Sequence, residues 1–195
     1  MDRLDAGRAV VIQLKDGKAD MAIGVADLTS GGNLLAGELH VWETFPSGSN
    51  TKLVGGVGVS EKLGTSISGI YDVNGDGLAD LAVGAPGWRA GNLALGRVLV
   101  YGGSTSALGT LLADIPGSQA GAQFGQAVAL TGDVNADGYA DLLVGSPQYD
   151  NGTVGGGRQA GRVDLYLGGP GGMNTLSDWH VEGTGHVRAL GVSLA

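Results

Sequence analysis

The 195-residue chain has no cysteine, only five prolines and few aromatic residues (5%), whereas glycine occupies 39 positions. Without cysteine the chain can form neither a disulfide framework nor a thiolate metal site. With so few aromatic side chains, a core must be built from Val, Leu, Ile and Ala, with backbones approaching closely at glycine. The glycine content also disfavours helix. The composition therefore predicts an all-β protein.

Positive charge is scarce as well, since 11 Lys and Arg residues face 19 Asp and Glu residues, for a net charge of −8. This balance argues against nucleic acid or an anionic membrane surface as a partner. No apolar run approaches the roughly 20 residues of a membrane span. The first residues, MDRLD, lack the basic and apolar regions of a signal peptide.

Two nine-residue stretches of the same design contain much of the acidity. Residues 72–80 read DVNGDGLAD and residues 133–141 read DVNADGYAD. Oxygen-bearing side chains stand at positions 1, 3, 5 and 9 of both copies, and position 6 is glycine in both. Short Asp and Asn side chains around a glycine turn, with a backbone carbonyl available at position 7, suit a hard cation such as Ca²⁺. The alternative is an Asx-rich turn that binds no metal.

An EF-hand loop begins in the same way but ends with a bidentate Glu at position 12 between two helices. Here position 12 is Val83 in one copy and Val144 in the other. The short apolar runs that follow each loop are stopped by Gly and Pro, which is typical of buried strands. The sequence therefore predicts that each loop joins two strands, which excludes an EF-hand.

The loops belong to a longer repeat of about 60 residues. With the two loops superimposed at an offset of 61, Leu63-Gly64 aligns with Phe124-Gly125, and residues 84–86 (GAP) align with residues 145–147 (GSP). Each repeat reads as four short strands, which in the third repeat are predicted at 125–130, 139–144, 161–167 and 178–182. Four-stranded units at this spacing are typical of β-propeller blades. We predict a degenerate first blade at about 1–60, a second at 61–121, a third at 122–187 and the start of a fourth at 188–195.

With these markers the chain resembles the FG-GAP repeat family, the calcium-binding blades of integrin α-subunit propellers and of many bacterial secreted proteins. It departs from the family pattern where Leu63-Gly64 and Leu190-Gly191 replace Phe-Gly, and where GSP replaces GAP. The resemblance implies an incomplete β-propeller ring with two structural Ca²⁺ ions. The implied ligands of the first ion are Asp72, Asn74, Asp76, Asp80 and the carbonyl of Leu78, and those of the second are Asp133, Asn135, Asp137, Asp141 and the carbonyl of Tyr139.

A third, decayed loop is expected in the first repeat, where residues 16–20 (DGKAD) align with residues 76–80. Its positions 1 and 3 would be Ile12 and Leu14, which cannot bind an ion through their side chains. We predict that the remaining Asp16 and Asp20 form an empty turn. Three blades cannot close a ring, so exposed apolar blade faces are expected at both ends, to be covered by further blades or by a homo-oligomer.

Two functions are compatible with the sequence. The first is a non-catalytic, calcium-stabilised module for cell adhesion or for binding a protein or glycan ligand. The second is an accessory portion of a larger secreted hydrolase, such as a phospholipase, because the chain itself contains no plausible catalytic set. Cytosolic calcium is too scarce for weak sites of about 10⁻⁴–10⁻³ M, so an extracellular or cell-surface location is expected. Trp42 and Trp179 are predicted to pack in the core or between blades, and Trp88 is the candidate for contacting a partner.

Overall fold

The computed structural model describes residues 8–13, 19–42, 50–104, 108–152, 159–184 and 189–194. Side chains are described in these ranges from residue 21 onward, except at positions 50–53. No described residue is helical. The described ranges therefore contain no helix of the length and apolar character that a membrane span requires. The prediction of an all-β chain is confirmed.

Three four-stranded antiparallel sheets follow one another along the chain, each with its strands in sequence order. The first contains β1 (Arg8–Gln13), β2 (Ala19–Val25), β3 (Glu38–Trp42) and β4 (Asn50–Gly55). The second contains β5 (Ser66–Tyr71), β6 (Asp80–Ala85), β9 (Arg97–Tyr101) and β10 (Leu111–Pro116), with the hairpin β7 (Arg89–Ala90) and β8 (Leu93–Ala94) between its middle strands.

The third sheet contains β11 (Ala127–Gly132), β12 (Asp141–Ser146), β13 (Arg162–Tyr166) and β16 (Trp179–Glu182), and the hairpin β14 (Gly168–Gly169) and β15 (Gly172–Met173) precedes its last strand. These four strands begin and end within two residues of the bounds predicted from the third repeat. The hairpins β7–β8 and β14–β15 were not predicted.

The apolar cores lie between successive sheets. Strand β6 runs through the middle of the second sheet and all of its residues are buried. Because side chains alternate between the two faces of a strand, Leu81 and Val83 pack with Leu39 of the first sheet, whereas Ala82 belongs to the core that includes Leu142 of the third sheet. The second sheet is thus covered on both faces, as a propeller blade is by its neighbours.

Glycines let the sheets approach to backbone contact. A Cβ atom added to Gly84 of β6 would lie 2.0 Å from the carbonyl oxygen of Gly125, and one added to Gly145 of β12 would lie 2.0 Å from that of Gly191. Parallel bridges Gly37↔Leu63, Gly96↔Phe124 and Gly161↔Leu190 tie the start of each unit to the sheet before it. The Leu-Gly and Phe-Gly markers of the repeat are therefore the points at which one unit docks on the previous one.

One face of the third sheet is partly uncovered. Leu143, Leu165 and Trp179 form a cross-strand row on this face, and Trp179 is 56% exposed. Among the described residues no sheet lies against this face, so Trp179 is not part of a core there, and its packing between blades stays a prediction. Trp42 is half-buried and stacks on His40. The corresponding outer face of the first sheet includes side chains outside the described residues.

Candidate metal centre

The two nine-residue stretches connect the first and second strands of their sheets. Loop A, residues 72–80, joins β5 to β6, and loop B, residues 133–141, joins β11 to β12. Position 6 is left-handed in both, with φ of +80° at Gly77 and +95° at Gly138. Only glycine adopts this conformation freely, so the glycine spacing in the sequence reflects the turn that curls each loop.

The side chains of loop A turn inward onto the loop's own backbone. Asp72 accepts hydrogen bonds from the N–H groups of Asn74 (3.2 Å), Gly75 (2.7 Å) and Gly77 (2.6 Å). Asn74 accepts one from the N–H of Asp76 (2.9 Å), and Asp76 accepts one from the N–H of Leu78 (2.8 Å). The side chains at positions 1, 3 and 5 are therefore all hydrogen-bonded to the backbone of one turn.

Loop B repeats this arrangement. Asp133 accepts hydrogen bonds from the N–H groups of Asp137 (3.0 Å) and Gly138 (2.7 Å). Asn135 accepts from the N–H of Asp137 (3.1 Å), and Asp137 accepts from the N–H of Tyr139 (3.0 Å). In both loops the amide at position 3 donates to the carboxylate at position 5, at 3.0 Å in loop A and 2.9 Å in loop B.

The aspartates at position 9 differ from the other three loop side chains because they are buried. Asp80 is 1% exposed and Asp141 is 0% exposed. Asp80 accepts hydrogen bonds from the N–H groups of Val73 (2.7 Å) and Gly103 (2.8 Å). Asp141 accepts from those of Val134 (2.8 Å) and Gly168 (3.0 Å). Each therefore ties its loop to the segment that follows the third strand of the sheet, a role that the sequence pattern did not predict.

Six carboxylates concentrate negative charge in these two loops. None of the ion pairs among the described side chains involves the six loop carboxylates. The pKa of Asp80 is raised from 3.8 to about 6, mainly by burial; the hydrogen bonds from Gly103 and Val73 oppose this rise, and the charges of Asp72 and Asp76 add to it. The cost of keeping Asp80 ionised would be relieved by a bound cation.

The described residues contain no group of three His, Cys, Asp or Glu side chains already arranged around a common point for a metal ion. The loop oxygens are occupied by N–H donors, but a carboxylate has about four lone-pair sites and can accept further contacts. The carbonyls of Leu78 and Tyr139 accept no hydrogen bond from any described residue. The ligand set therefore stays a prediction. The predicted empty turn at Asp16 and Asp20 lies outside the residues whose side chains are described.

Successive four-stranded sheets, packed face to face with an acidic loop between the first two strands of a unit, define a segment of a β-propeller. The FG-GAP repeat model matches residues 63–101 and 124–166, which include both loops. Each match begins at a Leu-Gly or Phe-Gly marker and ends with the last residue of β9 or β13.

The chain is 34% identical to integrin alpha-PS2 of Drosophila melanogaster over 198 aligned residues, which cover 92% of the chain and 13% of that protein. It is 29% identical to integrin alpha-5 of Xenopus laevis, over 87% of the chain and 15% of that protein. It is 42% identical to integrin alpha-4 of Xenopus laevis, over 40% of the chain and 8% of that protein. The chain spans less than a sixth of the length of each of these relatives. It belongs to the FG-GAP repeat family and is similar to integrin α-subunits.

Proposed function

We propose that the chain is a calcium-stabilised, non-catalytic β-propeller module that binds a protein or glycan ligand at the cell surface or outside the cell. The observation that carries this proposal is the pair of loops in register on adjacent sheets, each with three carboxylates and no cation paired to them among the described side chains. The adhesion role is supported by the similarity to integrin α-subunits. That similarity also favours this function over an accessory portion of a hydrolase.

The residues of the loops fit a Ca²⁺ ion by their chemistry. All the candidate donors are oxygens, and Ca²⁺ takes six to eight oxygen ligands. In loop A they would be Asp72, Asn74, Asp76 and Asp80 with the carbonyl of Leu78, and in loop B Asp133, Asn135, Asp137 and Asp141 with the carbonyl of Tyr139. The ion would supply positive charge that offsets crowded carboxylates. The chain itself supplies the turn that gathers them and the buried aspartate that anchors each loop to its sheet.

A thermal melt with and without calcium tests this function. A site with a Kd of about 10⁻⁴ M would add roughly 2.7 kcal/mol in 10 mM Ca²⁺. The Tm should therefore rise by about 5–10 °C for each filled loop in a chain of this size. We expect this rise in the unsubstituted protein and not in the Asp76→Ala/Asp137→Ala double variant, with circular dichroism and sedimentation recorded in parallel and ionic strength held equal.

The matched control is the Asp27→Ala/Asp150→Ala variant, which removes two exposed carboxylates outside the loops. It should keep the full calcium response. If the unsubstituted protein melts at the same temperature in calcium and in chelator, the loops are ordinary acidic turns and the proposed role of calcium is wrong.

A further inference from the structure

The two loops contact each other directly across the boundary between the second and third sheets. The N–H of Ala140 in loop B donates to the carbonyl of Asp72 in loop A at 2.9 Å. The ring of Tyr139 lies against Gly75, where an added Cβ atom would be 2.6 Å from Cε1 of the ring. Loop B thus meets loop A through both backbone and side chain.

The hydrogen bond between the loops joins two peptide units, each of which is connected to a candidate ligand of one ion. The N–H of Ala140 belongs to the same planar peptide unit as the carbonyl of Tyr139, which is the candidate backbone ligand in loop B. The carbonyl of Asp72 belongs to the same peptide unit as the N–H of Val73, which donates to Oδ2 of Asp80 at 2.7 Å. Two peptide units in series therefore link a ligand of loop B to a ligand of loop A.

Hydrogen bonds in series polarise one another. A cation on the carbonyl of Tyr139 would make the N–H of Ala140 a stronger donor to Asp72 and would hold that peptide plane in one orientation. Ordering the backbone of loop B in this way also fixes Tyr139 against Gly75, so that less conformational entropy remains to be lost when loop A binds its own ion.

We infer that the ion sites of loops A and B are coupled, so that filling one strengthens binding at the other through the contact between Ala140 and Asp72 and the packing of Tyr139 on Gly75. This inference rests on the proposed function, since it concerns the same two loops. The coupling goes beyond the proposed function, because two independent structural ions would satisfy that function equally well.

Direct electrostatics acts in the opposite direction. Filling loop B removes negative charge that would otherwise attract an ion to loop A. The part of this effect that arises from the exposed Asp76 and Asp137 acts through solvent and is screened with a Debye length of about 8 Å at physiological salt and 3 Å at 1 M, whereas the buried Asp80 and Asp141 are screened less. The hydrogen bond and the ring contact are short-range and are not screened in this way. High salt therefore weakens the electrostatic contribution more than it weakens the contacts.

Calorimetric titration with CaCl₂ measures the coupling. The unsubstituted chain gives two association constants, and the single variants Asp76→Ala and Asp137→Ala each give the constant of one intact loop. We expect the product of the two constants of the unsubstituted chain to exceed the product of the two single-variant constants by about fivefold or more, at both 0.15 M and 1 M KCl. Where an alanine variant does not fold, Asp76→Asn or Asp137→Asn retains the shape of the side chain while removing one charge.

The possible results are distinguishable. Equal products, or a smaller product for the unsubstituted chain, would show that the loops bind independently or repel each other, which overturns the coupling and leaves the calcium module intact. An excess that vanishes at 1 M KCl would also overturn it, because the short-range contacts would then contribute nothing. No calcium heat in the unsubstituted chain would instead overturn the proposed function itself. The Asp150→Ala variant, altered at the opposite end of β12, should reproduce the unsubstituted product.

Discussion

Replacing Arg97 with methionine is expected to lower the free energy of unfolding by about 3–5 kcal/mol, because it leaves the Glu61 carboxylate buried without its cation. Glu61 is completely buried. Its Oε1 accepts hydrogen bonds from the Arg97 guanidinium, with Nε at 3.0 Å. Its Oε2 accepts from the N–H groups of Val57 (2.8 Å) and Gly58 (2.9 Å). The measurement is urea unfolding at neutral pH in excess calcium.

The effect should be large because this ion pair joins two parts of the fold. Glu61 lies in the connection between the first and second sheets, and Arg97 begins β9 in the second. The guanidinium also lies over the ring of Trp88, 5.1 Å from its centroid. Trp88 is half-buried and packs against the core between the first two sheets. Methionine retains apolar volume beside Trp88, so the loss of stability in Arg97→Met measures mainly the effect of the lost charge.

Asp114→Asn is the matched control for Arg97→Met. Asp114 also pairs with Arg97, at 3.2 Å, but its side chain is 43% exposed, and exposed pairs contribute at most about 1 kcal/mol. The double variant Glu61→Gln/Arg97→Met should recover part of the loss, since no buried charge remains. If Arg97→Met costs no more than Asp114→Asn, the ion pair between Arg97 and Glu61 does not stabilise the fold as expected.

Most of the architecture could be predicted from the sequence because the same pattern of strands and loops occurs in more than one repeat. Alternating apolar runs ended by Gly and Pro placed the strands of the third sheet within two residues, and the glycine at position 6 of each loop predicted a sharp turn, which Gly77 and Gly138 adopt. These are local signals. Each depends on a few consecutive residues and on the same steric rules in both copies.

Contacts between distant residues could not be predicted in this way. Glu61 corresponds to Ala122 in the next repeat, so comparing the repeats gave no sign of a buried ion pair. The hydrogen bond from Gly103 to Asp80 spans 23 residues, and the spacing within the loop could only assign Asp80 to the ion. Trp179 lies in a strand as predicted, but whether a strand face is covered depends on the neighbouring sheet, which no local pattern specifies.

A single methyl group at Gly84 is expected to destabilise the protein by about 3 kcal/mol or more, at or beyond the upper end of the usual cost of overpacking. In Gly84→Ala the new Cβ atom would lie 2.0 Å from the carbonyl oxygen of Gly125 and 2.2 Å from Oγ of Ser66. Ser66 cannot simply turn away without loss, because its Oγ donates a buried hydrogen bond of 2.8 Å to the same carbonyl. The second and third sheets would have to separate, and urea unfolding in excess calcium measures the cost.

Two variants show whether the cost arises from the contact between sheets. Gly171→Ala adds the same methyl group at an exposed glycine with no atom within 4 Å, and it should change stability by at most about 0.5 kcal/mol. Gly145→Ala creates an equally short contact of 2.0 Å, with the carbonyl of Gly191, and it should likewise be strongly destabilising. If Gly84→Ala and Gly145→Ala cost no more than Gly171→Ala, the sheets do not depend on backbone contact at these glycines.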